Sequence, residues 1–401
     1  MKAIVVGSGA GGGTVAKELS KNGISTTIIE KGSFTKAKHA YKHYDIMNVG
    51  TEVSRTLCVG GTTIVSAGNA VRAGEVSFKK IGIDLTSEFE EIEKEIGVNV
   101  LPDSHFGEGT KRIMKAAKSL GFEVQKMPKF IDPDSCKPCG KCAFGCPKDA
   151  KWTSAYFVEE AIENGAKVLE NTPVTDIIIK DGKVKGVKSH GNVFEADIVI
   201  LSAGAIETPR LLQKAGIDAG NNLFVDTFVT VGGMLKKIKY NQEVTMNALI
   251  VCNNIVMAPH YSEIIVKKLE KYKARRKDIL GMMVKIKDEP SGKVTKDEVI
   301  KFNTANDAAL LGMGSAIAGS ILTEAGVDPK TLVSTYARGA HPGGTAAIGQ
   351  VVDKNLETEI KGLYVADASV FPEAPGAPPI LTIIALAKRL GKHLIENRIN
   401  D

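Results

Sequence analysis

Cys136, Cys139, Cys142 and Cys146 are spaced C-x2-C-x2-C-x3-C, and Pro147 follows the last of them. Thiolates at such short intervals can converge on one inorganic centre, and bacterial ferredoxins use this run to hold an iron–sulfur cluster. The small residues Gly140 and Ala143 leave backbone N–H groups free to bond the sulfides of such a cluster. The spacing therefore points to a [4Fe-4S] cluster, with a structural zinc ion or an intracellular disulfide as the alternatives. In two-cluster ferredoxins the fourth cysteine of the run serves the other cluster. This chain has a single run, so Cys252 or Cys58 is the alternative to Cys146 as fourth ligand.

A second set of residues is suited to phosphates. Gly7-Ser8-Gly9-Ala10-Gly11-Gly12 reads G-x-G-x-x-G between an apolar strand and a helix. Gly7 permits the tight turn, Gly9 the approach of backbone to a pyrophosphate, and Gly12 close packing of helix on strand. The helix N-terminus supplies open N–H groups and positive dipole. Glu30, 18 residues past Gly12, ends the next strand, where an acid accepts hydrogen bonds from a ribose hydroxyl. The loop predicts a bound dinucleotide, FAD or NAD. Flavin enzymes reduced by a nicotinamide usually carry two such loops. The one found here fits a flavin enzyme that draws electrons from its substrate or trades them with another protein.

The elements that hold these residues follow from periodicity. An apolar strand at 4–6, a helix at 10–22 and a strand at 26–30 form a β-α-β unit. Helices are predicted at 85–96, 110–120, 154–164 and 208–215, and strands at 167–169, 174–180, 184–189, 195–202 and 363–366. Asp181-Gly182 signals a hairpin. Residues 222–334 read as a separate module, with β-patterned segments at 224–239, 244–256 and 282–287 and a buried helix at 308–322. Residues 267–277 read as a strongly basic helix, taken as a solvated face in preference to a dock for an acidic partner. A long helix at 379–397 closes the chain.

Composition bounds the remaining possibilities. The 401 residues are 43% hydrophobic and 24% charged, which excludes a disordered, collagenous or disulfide-dense chain. The net charge of +6 is too mild and dispersed for a nucleic-acid partner. No run of apolar residues is long enough to span a membrane. Six cysteines without a signal segment predict a cytoplasmic, reducing setting.

The C-terminal region carries further motifs. His341-Pro342-Gly343-Gly344-Thr345 is followed by Gly362-Leu363-Tyr364-Val365-Ala366-Asp367-Ala368 and by Pro378-Pro379-Ile380-Leu381-Thr382. With the first glycine loop, these segments resemble the glucose–methanol–choline (GMC) oxidoreductase family. Gly60-Gly61-Thr62-Thr63 is similar to the family's loop beside the flavin, and Ser202-Ala203-Gly204-Ala205-Ile206-Glu207-Thr208-Pro209 to its second signature. The resemblance covers about half the chain and leaves 73–130 and 222–334 unmatched. It implies an α/β fold with a Rossmann-like FAD-binding domain assembled from 1–72, 150–221 and 335–401. An insertion at 73–149 would carry the cysteines, and an α+β substrate domain would span 222–334. It also implies Val174 near the adenine, Asp367 near the ribityl and pyrophosphate groups, and His341 as catalytic base near the flavin N5. The family places a second His or Asn where this chain has Pro378, which offers neither a polar side chain nor an N–H.

Together these readings predict a FAD-dependent dehydrogenase. His341 would deprotonate an alcohol, an apolar one by the character of the segments in 222–334, and electrons would pass through the cluster to a ferredoxin-like or other acceptor protein. The alternatives are a reductase of a C=C or carbonyl bond fed by reduced ferredoxin, and a non-catalytic electron-transfer subunit.

Overall fold

Ile198–Leu201 is buried along its whole length and Lys2–Val6 at all but its first residue. Such continuous apolar runs belong in a parallel sheet covered on both faces. The structure, a computed structural model, describes residues 1–400, the side chains of 398–400 excepted. Its first sheet has five parallel strands in the order Leu363–Val365, Ile198–Leu201, Lys2–Val6, Ser25–Ile29, Lys167–Leu169. The strands come from three distant stretches of sequence, so the sheet closes only when all three are present. Helix Ala10–Lys21 packs on both Ile380–Asn400 and Ser154–Glu163. The predicted hairpin forms between Val174–Lys180 and Lys183–Ser189, with Asp181 and Gly182 both at positive φ (53° and 70°), as a type I′ turn requires.

A second, nine-stranded sheet has Thr227–Met234 and Ile279–Ile286 as antiparallel neighbours at its centre. Tyr44–Asn48 and Glu52–Thr56 join it through Arg338–Gly339, and Val124–Lys126 forms the opposite edge. The fold is thus the predicted α/β class, a parallel sheet beside a separate sheet.

Three local expectations change. The segment 244–256 is not one strand: Ala248–Cys252 and Ile255–Pro259 pair as a hairpin across Asn253, whose φ is 52°. The basic stretch 267–277 is not one helix. Helix Glu263–Lys268 stops where Leu269 is buried, and the chain continues as short 3-10 turns through a left-handed Lys273. Neighbouring cations repel along a continuous helix, and the apolar anchors Ile265 and Leu269 are too closely spaced to hold a longer one down. The helix expected at 308–322 runs Ala305–Glu324 with a Thr304–Asp307 capping box, but buries one side only. That side presses Gly314 so closely on Val284 that a Cβ there would lie 2.4 Å from a methyl carbon.

Candidate active site

The dinucleotide loop is shaped by contacts that exclude side chains. A Cβ on Gly7 would lie 2.4 Å from the Ser202 carbonyl, on Gly12 2.0 Å from that of Gly7, and on Gly11 1.7 Å from that of Ala366. At Gly9 a Cβ would meet nothing within 4 Å. The loop is therefore tight on its protein side and open at Gly9. That opening is at the N-terminus of Ala10–Lys21, where a pyrophosphate is bound by N–H groups and dipole.

Ser8 ties the loop together. Its N–H (2.9 Å) and hydroxyl (2.7 Å) both donate to one Glu30 oxygen, and the Gly60 N–H donates to its hydroxyl oxygen at 3.1 Å. The other Glu30 oxygen accepts from Gly32 N–H. Burial raises the Glu30 carboxyl above its usual range while these hydrogen bonds pull it back down. Ser154, at the start of its helix, donates to the carbonyls of Ser8 and Gly9. Gly61 is so close that its Cβ would be 3.0 Å from the Gly9 Cα. The hydroxyl of exposed Thr62 accepts from Thr56 N–H. Thr172 N–H bonds the Glu30 carbonyl, and Val174, two residues on, begins the hairpin strand Val174–Lys180.

Asp367 is buried under the third segment. Its carboxylate accepts from Gly204 N–H (2.9 Å), Thr208 Oγ1 (2.6 Å) and Ser369 N–H (2.8 Å). Burial raises its carboxyl and these donors oppose the rise. Contacts thus link Gly7, Gly9, Gly12, Glu30, Gly60 and Gly61 to one another, and Gly204 to Asp367, whose neighbour Ala366 crowds Gly11; Thr62 and Val174 lie outside these contacts. Glu30 and Asp367 spend most of their oxygens on the protein itself.

His341 follows the short strand Arg338–Gly339 of the second sheet, its N–H bonded to the Val225 carbonyl. Its Nδ1 lies 2.7 Å from Lys285 Nζ and 3.0 Å from Asp226 Oδ2, and a fifth of its side chain remains exposed. Asp226 is held at φ 50°, a left-handed conformation that Asp tolerates better than most residues. Its other oxygen accepts from Gly376 N–H at 3.0 Å, two residues before buried Pro378. Burial, and then the Lys285 charge, push His341 down to about 4, so its ring is neutral at pH 7. Burial takes Lys285 down to about 8, against the pull of Asp226 and Asp288. Ala340 beside His341, Ala67 of the loop after Thr63, and Phe228, Met246, Ala258 and Met283 form a shared apolar cluster.

The cysteine run loops between the two sheets. Gly140 and Gly145 are at positive φ and crowd the Asn241 and Ala37 carbonyls. Burial pushes the Cys136 thiol up to about 12, helped by Cys142, Cys146 and Cys139. Lys141 N–H bonds the Cys139 sulfur, and Ala150 N–H bonds that of Cys146 at 3.4 Å. Cys58 packs with Ala40, Ile64 and Val65, and Cys252 against the core of the larger sheet. Among the described residues, no three His, Cys, Asp or Glu side chains form a group that could hold a metal ion. The protein alone therefore does not draw the four sulfurs onto one point.

Two buried lysines adjoin the run. Lys151 Nζ donates to Ile64 O (2.8 Å), Ser66 O (2.6 Å) and Cys142 O (3.3 Å). Lys129 Nζ donates to Asn69 Oδ1 (2.7 Å), Thr245 O (2.8 Å) and Ala67 O (3.0 Å). Burial lowers them to about 8 and about 7; negative charge on the Cys142, Cys146 and Cys136 sulfurs would oppose the fall, as Asp149 does for Lys151. All these direct partners are neutral oxygens, although a buried cation normally needs an anion.

Sequence reasoning missed Asp226, Lys285, Ser8, Ser154, Lys129 and Lys151. Only Lys285 carried a signal, as a lone cation in the apolar strand ILGMMVKI.

Comparison with known proteins gives a consistent result. Residues 1–237 and 288–387 match the N- and C-terminal family models described as GMC oxidoreductase. An uncharacterized protein of Methanocaldococcus jannaschii is 36% identical, covering 98% of this chain and 99% of that one. A long-chain-alcohol oxidase of Arabidopsis thaliana is 23% identical, over 96% of this chain and 66% of its own length. Among solved structures, pyridoxine 4-oxidase from Mesorbium loti superposes with a TM-score of 0.76 at 16% identity, covering 98% of both chains.

Proposed function

We propose, from the premise that the chain belongs to the GMC oxidoreductase family, that it is a FAD-dependent alcohol dehydrogenase which passes electrons to a protein acceptor. Members of the family oxidise alcohols and similar groups with FAD. The loop open at Gly9, the neighbouring Glu30 and the helix N-terminus fit the pyrophosphate and ribose of that cofactor, with Val174 proposed beside its adenine. When bound, FAD supplies a hydride acceptor. His341, a neutral imidazole that is a fifth exposed, is the base for the substrate hydroxyl. The apolar cluster joining Ala67 and Ala340 favours an alkyl alcohol over a sugar.

The finer part of the proposal concerns the cysteines. One observation carries it: two buried lysines, hydrogen-bonded only to neutral oxygens, hold the loop after Thr63, and Lys151 reaches the cysteine run as well. Four thiolates around a [4Fe-4S] centre would supply the missing negative charge, and the N–H groups aimed at Cys139 and Cys146 suit thiolate sulfurs. Such a centre transfers electrons singly, which matches a protein acceptor better than oxygen. The fit extends to residue types and charge, with Cys136, Cys139, Cys142 and Cys146 as the ligands.

Anaerobic purification followed by flavin, iron and zinc analysis and an ultraviolet–visible spectrum tests both cofactors. The reading expects one flavin and about four irons per chain, with alcohol bleaching the flavin. Stoichiometric zinc, or neither metal, sinks the cluster while leaving the flavin reading intact. Pro378 favours a second reading, reduction of a C=C bond, which needs no hydroxyl-binding pair. Bleaching by reduced ferredoxin but by no alcohol selects it.

A further inference from the structure

Two partners of opposite character compete for His341 Nδ1. Asp226 Oδ2 at 3.0 Å can only accept a hydrogen bond, which places the ring proton on Nδ1 and leaves Nε2 as a base. Lys285 Nζ at 2.7 Å, when it is an ammonium, can only donate. It then requires an unprotonated Nδ1 and moves the ring proton to Nε2. As a free amine it can instead accept from Nδ1–H. The protonation state of Lys285 is therefore coupled to the tautomer of His341, and only the amine form leaves Nε2 free to take a proton.

The surroundings favour a proton arriving at Nζ. Lys285 is opposite Phe228 on one neighbouring strand and Val256 on the other. The acids whose charge reaches it are Asp226, at 3.8 Å, and Asp288. Asp288 is paired with Lys301 at 3.0 Å, and Lys301 also lies 3.7 Å from Asp307. Three fully buried carboxylates thus face two buried lysines, and the excess is negative. Farther off, Arg338 stacks over Phe228, His260 bonds Thr230, and Lys287 pairs with Glu373.

We propose that Lys285 is the terminal acceptor of the proton His341 takes from substrate, with Asp226 orienting the ring; both are positioning residues that act through His341. The inference rests on the reading of His341 as base. In the relay the substrate O–H bond breaks as Nε2–H forms, and Nδ1–H breaks as a third N–H forms on Nζ. The oxygen keeps its electron pair, and the imidazole ends neutral in its other tautomer. It resets when Nε2–H loses its proton to solvent through the exposed edge and Lys285 returns one to Nδ1.

Nitrogen-15 NMR of the holoprotein labelled at histidine tests this without turnover, with the signal assigned by its loss in His341→Gln. The wild type is expected to change from the Nε2–H to the Nδ1–H tautomer between pH 6 and 10. Lys285→Met should stay Nδ1–H and Lys285→Arg, which cannot lose its proton, Nε2–H throughout. Anaerobic bleaching by octanol should quicken with pH in the wild type, and both variants should be flat and about 10–100-fold slower at the alkaline end. A single wild-type tautomer across this range, or an Arg variant that restores the wild-type profile, overturns the proposal. If Lys285→Met does not fold, the wild-type titration and the Arg variant still decide it. Unimpaired bleaching in His341→Gln would instead refute the base itself, leaving the tautomer result to stand separately.

Discussion

At the scale of single residues, the glycines of the first loop differ in what they protect. Gly9→Ala places a methyl in open space at an ordinary φ of −65°, so the apo fold should survive while FAD is lost. Gly12→Ala places it 2.0 Å from a backbone carbonyl and should destabilise the fold itself. Thermal melts and flavin content of the two variants separate these outcomes; a Gly9→Ala protein that retains flavin would show that the cofactor does not approach there. Glu30 adds a pH effect. Its carboxyl is raised by burial, so the folded chain holds the proton at higher pH than the unfolded one. Stability from this group is present below about 4.5 and falls as pH rises through the folded value. Glu30→Gln should flatten that slope and, having lost one acceptor oxygen, cost about 1–3 kcal/mol at pH 7. Urea unfolding at several pH values measures both. Glu30 and the glycines were legible because their spacing is local. Asp226 and Lys285 were not, because nothing in sequence links positions 226, 285 and 341 until two strands and a loop meet.

Among the elements, the cysteine loop depends on close backbone approach. Gly145 sits at φ 94°, and a Cβ there would be 1.8 Å from the Ala37 carbonyl. Gly145→Ala should therefore displace the loop and reduce iron retention while flavin content stays at wild-type level. Equal iron in variant and wild type would separate the loop's geometry from metal binding. Lys151 clamps the same loop to Ile64 and Ser66, so Lys151→Met should lower iron content as well, read by metal analysis alongside a melt. Periodicity located most of the regular elements, since buried parallel strands and long amphipathic helices have strong patterns. It failed at 244–256, where Asn253-Asn254 was the overlooked turn signal, and at 267–277, where a helix end set by tertiary burial leaves no local mark.

For the molecule as a whole, two sheets meet where His341, the loop after Thr63 and the cysteine run come together. Among the described residues no helix is long and apolar enough to cross a membrane. If electrons leave through the cysteine loop, Cys139→Ala should remove iron and slow reduction of an external protein acceptor at least tenfold. Alcohol bleaching of the flavin should remain near the wild-type rate. Loss of bleaching together with iron would place the two cofactors in one structural unit instead of in series. The partition into a nucleotide side and a substrate side was expected from the glycine motifs and the β-patterned stretch 222–334. The seam was not, because strands at 44–48 and 52–56, next in sequence to the flavin-side loop, pair with the far sheet.

The carbonyl of Ala366 touches Gly11, and the Asp367 carboxylate grips Gly204, across more than 350 and 160 positions of sequence respectively. A ribosome making this chain extrudes the glycine turn early but the residues that close over it near the end. Flavin capture must then wait until translation is nearly complete, and nascent chains arrested before residue 367 should emerge colourless.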